Sequence, residues 1–151
     1  MKILISACLA GCACRYDGKS KPHKIFTMLS KHHELIPFCP EVYGGLPTPR
    51  KPSEIVGEKV INALGEDVTA QYQKGAEEAL KIAKLYGCSI AVLKAKSPSC
   101  GSGLIYDGTF SKNLINGDGI TAALLKRNGF SVYTEEDAAA LLTTDCTKKY
   151  L

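Results

Sequence analysis

The sequence predicts a single α/β domain over residues 1–151: an open, mostly parallel, Rossmann-like sheet with helices on both faces. Three observations carry that expectation. The length of 151 residues suits one hydrophobic core. Apolar runs of strand length recur at 2–7, 34–39, 89–95 and 130–134. Segments with helically spaced apolar residues lie between several of them, the alternation that sets parallel strands side by side with crossover helices.

In chain order, KILISA (2–7) is a continuous apolar run suited to a strand buried on both faces. Ile25, Met28, Leu29 and His32 fall at helical spacing, so a short first helix is expected within 24–32, with His32 and His33 finishing it. ELIPFC (34–39) reads as the second strand, and Pro37 assigns it an edge or irregular position. A proline- and glycine-rich loop of the functional kind follows from Cys39, and then a short apolar piece at 55–63 with no assigned element. The segment 65–87 is the clearest helix: Tyr72, Ala76, Ala79, Leu80 and Ala83 form one stripe, Asp67 or Thr69 caps its start and Gly87 ends it. SIAVLKA (89–95) is the third strand. GDGITAALLKRNG is a helix closed by Gly129, with Asp118 as a cap or the helix start as an anion site. FSVYT is the fourth strand, and a last helix begins at TEEDAAALL with Thr134 and Asp137 as a capping box. The tripeptide YDG, at 16–18 and 106–108, is read as turn chemistry.

Net charge is +4 and the only dense basic patch is KSKPHK at 19–24, without interleaved aromatic residues, so no nucleic-acid partner is expected. No apolar run is long enough to span a bilayer, and the first one reads as a strand rather than a signal peptide, so no membrane partner and a cytoplasmic location are expected. Seven cysteines are many for this length and odd in number, which fits reduced intracellular thiols better than a disulfide scaffold.

Cys8, Cys39 and Cys100 each sit at or just past the C-terminal end of a predicted parallel strand. Strand ends of that kind converge on one crevice, where ligands bind. The three are 31 and 61 residues apart, unlike the close pairs of a structural zinc site. Three soft thiolates with an open coordination position suit an iron–sulfur cluster or a catalytic zinc. Cys88 and Cys146 read as buried small hydrophobes. Cys12 and Cys14 share a loop with Cys8, as a fourth ligand, a resolving thiol or bystanders.

The motifs CLAG and CRYDG, CPEVYGGLPTPR, GEDVT, LKAKSPSCG, IYDGTFS and GDGIT, in that order over residues 8–121, resemble the bacterial family called domain of unknown function 523. Its characterised members are thiouracil desulfidases. Ala10 departs from the usual leucine of the first motif.

The resemblance implies a four-iron, four-sulfur cluster held by Cys8, Cys39 and Cys100. It further implies Glu41 as the catalytic acid or base, and a functional serine that is Ser97 or Ser99. Gly45, Ser99 and Gly101 are the expected substrate contacts, with Gly44, Gly45, Gly101 and Gly103 offering N–H groups to the cluster. Arg50 reads as a surface residue of the proline-rich loop. The implied reaction is non-redox hydrolysis that removes sulfur from 2-thiouracil or a related small thio-compound and releases sulfide. Two competing expectations are a zinc module without catalysis, held by the three cysteines and Cys14, and a sulfurtransferase carrying a persulfide on Cys100.

Overall fold

A computed structural model describes residues 1–142 of the chain. Four parallel strands form the main sheet: β1 (Lys2–Ser6), β2 (Glu34–Phe38), β5 (Ile90–Leu93) and β8 (Ser131–Thr134), in the order β2-β1-β5-β8. Pro37 lies on β2, which is an edge strand, so its missing N–H costs no interior ladder bond.

Helices cover both faces, and the pleat of β1 explains why. Leu4 points into a core with Ala79 and Ala83 of α3 (Thr69–Leu85) and Ala122 and Leu125 of α4 (Ile120–Arg127). Ile3 and Ile5 point the other way, toward Ile25 and Leu29 of α1 (Lys24–Ser30) and toward Ala138 and Leu141. The capping box before these last residues is present: the Thr134 N–H donates to Asp137 Oδ1 at 2.7 Å, and the Glu136 N–H to Thr134 Oγ1 at 3.2 Å. Cys146 lies outside the described residues.

The long helices end as their glycines predict. Gly87 and Gly129 have positive φ, and the following amides reach back to Ala83 O and Leu125 O. The start of α3 is set by Asp67, which accepts from the Thr69 N–H and hydroxyl, while Val68 occupies the cap position. Two YDG turns also form, with Asp17 and Asp107 accepting from the N–H two residues on.

Three expectations need correction. The first helix stops at Ser30, with Met28 39% exposed and His32 outside it, because only Ile25 and Leu29 reach the core. The piece at 55–63 belongs to an antiparallel hairpin of β3 (Ser53–Val56) and β4 (Lys59–Asn62), turned at Gly57. A second hairpin, β6 (Leu104–Tyr106) with β7 (Leu114–Asn116), occupies a stretch with no predicted strand. Both hairpins lie in the connections of the main sheet, next to the ends of the strands that carry the cysteines.

Candidate active site

The sheet order reverses between β1 and β5, so their connections leave on opposite sides and open a crevice at the C-terminal edge. Cys8 lies in a 3-10 turn (Ala7–Ala10) directly after β1. Cys39 is the cap residue between β2 and α2 (Pro40–Tyr43), and Cys100 lies in the turn after β5. Cys39 acts electrostatically on Cys8, and both act on Cys100. Segments far apart in sequence therefore face the same edge of the sheet.

The three thiols have different surroundings. Cys100 is 5% exposed, and burial pushes its thiol above the ordinary range, opposed by a hydrogen bond from Ser6. Burial pushes Cys8 up to about 11, with the charge of Cys39 adding to the rise and Lys94 opposing it. Cys39 is lowered to about 7, first by a hydrogen bond with the Cys14 thiol, against burial, and then by the Val42 N–H and by Arg50. The same contact, followed by burial, pushes Cys14 up. Cys39 is the better thiolate of that pair because it has the backbone donor and the guanidinium beside it.

Backbone packing holds each cysteine segment. A Cβ on Gly44 would lie 2.0 Å from Gln71 O, and one on Gly75 2.0 Å from Pro40 O, so α2 crosses α3 with main chain against main chain. Similarly, a Cβ on Gly119 would lie 2.4 Å from Ser99 O. That contact lets the first amides of α4 bond the Cys100 turn: Ile120 N–H to Pro98 O at 2.9 Å and Thr121 N–H to Ser99 O at 2.8 Å. These amides are occupied, so the α4 start is no open anion site, and Asp118 does not cap it either, since Gly119 is the cap residue and no side chain bonds there. Asp118 accepts instead from Gly103 N–H and from Lys126.

Glu41 stands in the first turn of α2 with both carboxylate oxygens engaged. Tyr72 Oη donates to Oε1 at 2.8 Å, and Arg50 Nη2 pairs with Oε2. Arg50 is not a surface residue: its side chain is 5% exposed, and it also donates to Cys14 O, Pro47 O and Thr48 Oγ1. Burial works against its charge, and the Glu41 carboxylate more than offsets that. Arg50 Nε is buried without a hydrogen-bond partner. Burial keeps the Tyr72 hydroxyl well above its ordinary range, so it stays a donor.

The serines and glycines of the expected site are engaged within the chain. Ser97 Oγ accepts from the N–H groups of Ser99 and Cys100, both at 3.1 Å, and so shapes the turn. Ser99 is 1% exposed, and its hydroxyl pairs with Thr121 Oγ1 at 2.8 Å. The Gly45 N–H donates to Val42 O, Gly101 to Ser97 O and Gly44 to Pro40 O, so with Gly103 bound to Asp118 none of the four amides is left to meet a cluster sulfide. Gly45 has open space where a side chain would stand, whereas Gly101 is walled in by Ser97 O and Leu104 O.

Sequence reading passed over Ser6, Lys94, Tyr72 and Glu135 as site residues. Ser6 Oγ accepts from the Lys94 N–H at 2.9 Å. Lys94 Nζ pairs with Glu135 at 2.9 Å and acts on Cys8. A hydroxyl at the last position of β1 and an ammonium just past the end of β5 are the available signal. Among the described residues, no three His, Cys, Asp or Glu side chains are grouped so as to hold a single metal ion, and no helix is long and apolar enough to cross a membrane.

The family model described as 2-thiouracil desulfurase matches residues 3–137. The uncharacterized protein YbbK of Bacillus subtilis (strain 168) is 43% identical over 150 residues, covering 93% of this chain and 99% of its own. The solved structure of TudS (DUF523Vcz), a [4Fe-4S]-dependent thiouracil desulfidase, is similar with a TM-score of 0.87 and 45% identity, covering 95% of this chain and 96% of that one.

Proposed function

The chain belongs to the 2-thiouracil desulfurase family, and from that premise we propose that it is a [4Fe-4S]-dependent desulfidase acting on 2-thiouracil or a related small thio-compound, by hydrolysis without net electron transfer. What supports this reading is that Cys8, Cys39 and Cys100 each follow the C-terminal end of one of three adjacent parallel strands, β1, β2 and β5. The residues present fit such a group. They are soft donors, and Arg50, which acts on Cys39, leaves a buried N–H without an acceptor.

Cys8, Cys39 and Cys100 would hold the cluster, whose remaining iron supplies a Lewis acid for a thiocarbonyl sulfur. Ser6 and the Val42 N–H steady the Cys100 and Cys39 sulfurs. Glu41 is the general base: each carboxylate oxygen has a second lone pair, so it takes a proton from water while Tyr72 and Arg50 hold it in place. Arg50 Nε is left to meet an oxygen of the heterocycle, and the Lys94–Glu135 pair keeps a positive charge next to Cys8. Ser97, Ser99 and Gly101 serve by fixing the Cys100 turn, and the open side of Gly45 leaves room for substrate. Burial of Cys100 and its raised thiol weigh against a persulfide nucleophile there.

Anaerobic reconstitution followed by iron and sulfide counting, with sulfide release from 2-thiouracil as the activity, tests the proposal. Four irons and four sulfides per chain with iron-dependent release are expected. One tightly held zinc without iron, or release that persists without iron, overturns it.

A further inference from the structure

Cys14 has no part in the reaction just proposed, yet it stands beside Cys39: Cys39 Sγ is 3.8 Å from the Cys14 carbonyl oxygen, and the two side chains act on each other. Arg50 ties the two segments together. Its Nη2 donates to Cys14 O at 3.0 Å and pairs with Glu41, two residues past Cys39. Both cysteines are partly exposed, whereas Cys8 and Cys100 are buried. Of the three proposed cluster ligands, Cys39 is thus the one open to a small oxidant, and a second thiol is fixed against it.

We propose that Cys14 and Cys39 form a reversible disulfide in the cluster-free chain, closing the site to cluster assembly until a dithiol reopens it. The consequence for assembly rests on the cluster reading above; the linkage itself does not. Hydrogen peroxide is the oxidant. The Cys39 sulfur takes one oxygen as the O–O bond breaks, giving a sulfenic acid and one water. The Cys14 sulfur then attacks the sulfenic sulfur. The S–S bond forms, the S–O bond breaks, and the hydroxyl leaves with the Cys14 proton as a second water. Two electrons pass from two thiols to one peroxide. A dithiol returns them by exchange and frees both thiols.

The physical gain is recoverability. A lone sulfenic acid proceeds under further peroxide to sulfinic acid, which a dithiol does not reduce. Capture by Cys14 stops Cys39 short of that state. Cys12, two residues from Cys14 and exposed, is the competing partner, but the contact that Cys39 Sγ makes is with residue 14.

The test uses the full chain, cluster-free and reduced, exposed to hydrogen peroxide, then alkylated and mapped by peptide mass spectrometry. The expected product is lighter by two hydrogen atoms, carries a Cys14–Cys39 linked peptide and reverts with dithiothreitol. Anaerobic cluster uptake without reductant falls about tenfold or more after oxidation and returns after reduction. In Cys14→Ser, the same treatment leaves Cys39 carrying two or three oxygens, and dithiothreitol does not restore uptake. A Cys12–Cys14 or Cys8–Cys39 linkage, or sulfinic acid on Cys39 with Cys14 still alkylatable in the unaltered chain, overturns the proposal. Failure of the reduced chain to take up iron counts against the cluster and leaves the mass result standing.

Discussion

Two sides of the cysteine crevice are built on opposite plans. The Cys39 and Cys100 side is a frame: main chain packs on main chain at Gly44, Gly75 and Gly119, and the amides of the Cys100 turn and the start of α4 find partners. The 10–23 side is a loop with Cys12 exposed and Gly11 and Gly18 at positive φ, attached to the rest mainly through bonds such as Lys21 N–H to Cys8 O and Arg50 N–H to Tyr16 O. The lesson is a division of labour. The frame fixes where Cys39, Cys100 and Glu41 stand, and the loop is braced against it by Arg50 and a few main-chain bonds.

The largest effect that can break this comparison is loss of the cluster. Cys39→Ser and Cys100→Ser on the frame, and Cys8→Ser at the junction, are each expected to reduce bound iron to background, while Cys12→Ser on the loop and the buried core residue Cys88→Ser keep full occupancy; iron and sulfide assays on reconstituted protein decide it.

Glycine replacement is next. Gly75→Ala forces a Cβ to 2.0 Å from Pro40 O and is expected to cost about 3 kcal/mol or more. Gly18→Ala meets nothing closer than Pro49 Cβ at 3.8 Å and costs only about 1 kcal/mol for its positive φ. Equal losses in urea titration would erase the distinction.

Charge removal follows the same line. Arg50→Gln breaks a buried pair and is expected to lose roughly 3 kcal/mol. Arg15→Gln breaks a half-exposed contact of 3.9 Å to Asp17 and falls within about 0.5 kcal/mol of the parent. Tyr72→Phe sharpens the reading of Glu41: kcat falls about tenfold with KM unchanged, because the base loses one of its two fixing donors while substrate binding does not.

The smallest effect is at the entry of α3. Hydrogen bonds from the Thr69 hydroxyl and N–H hold the Asp67 carboxyl below its ordinary range. Its stabilising part is therefore complete at neutral pH and lost as pH falls through that lowered value. Melting curves should show a small deficit for Asp67→Asn at pH 7 that closes in strong acid.

Legibility in the sequence divides in the same way. The four main strands announce themselves as apolar runs, α3 by its stripe and both long helices by their closing glycines. Cys8, Cys39 and Cys100 stand just past the ends of β1, β2 and β5, where the apolar runs stop. The hairpins at 53–62 and 104–116 escaped because three- and four-residue strands carry too little periodicity, although the Gly57 turn between β-branched runs was a usable sign. Arg50 was misjudged because its burial depends on a carboxylate and a tyrosine supplied by two other elements. Its loop composition says nothing of either. The hydroxyl partners of Tyr72 and Ser99 belong to the same class, since local pattern reports a face but not what a polar tip will find across the core.

The crossing of α2 over α3 has a mechanical consequence. With no side chains between Gly44 and Gly75 to slide or compress, the two helices move as one piece, and Cys39 and Glu41 ride on a rigid rail anchored in the sheet. That wall is held at the level of the main chain, and the bank facing it, between Gly11 and His23, is pinned to it by one guanidinium reaching the Cys14 carbonyl.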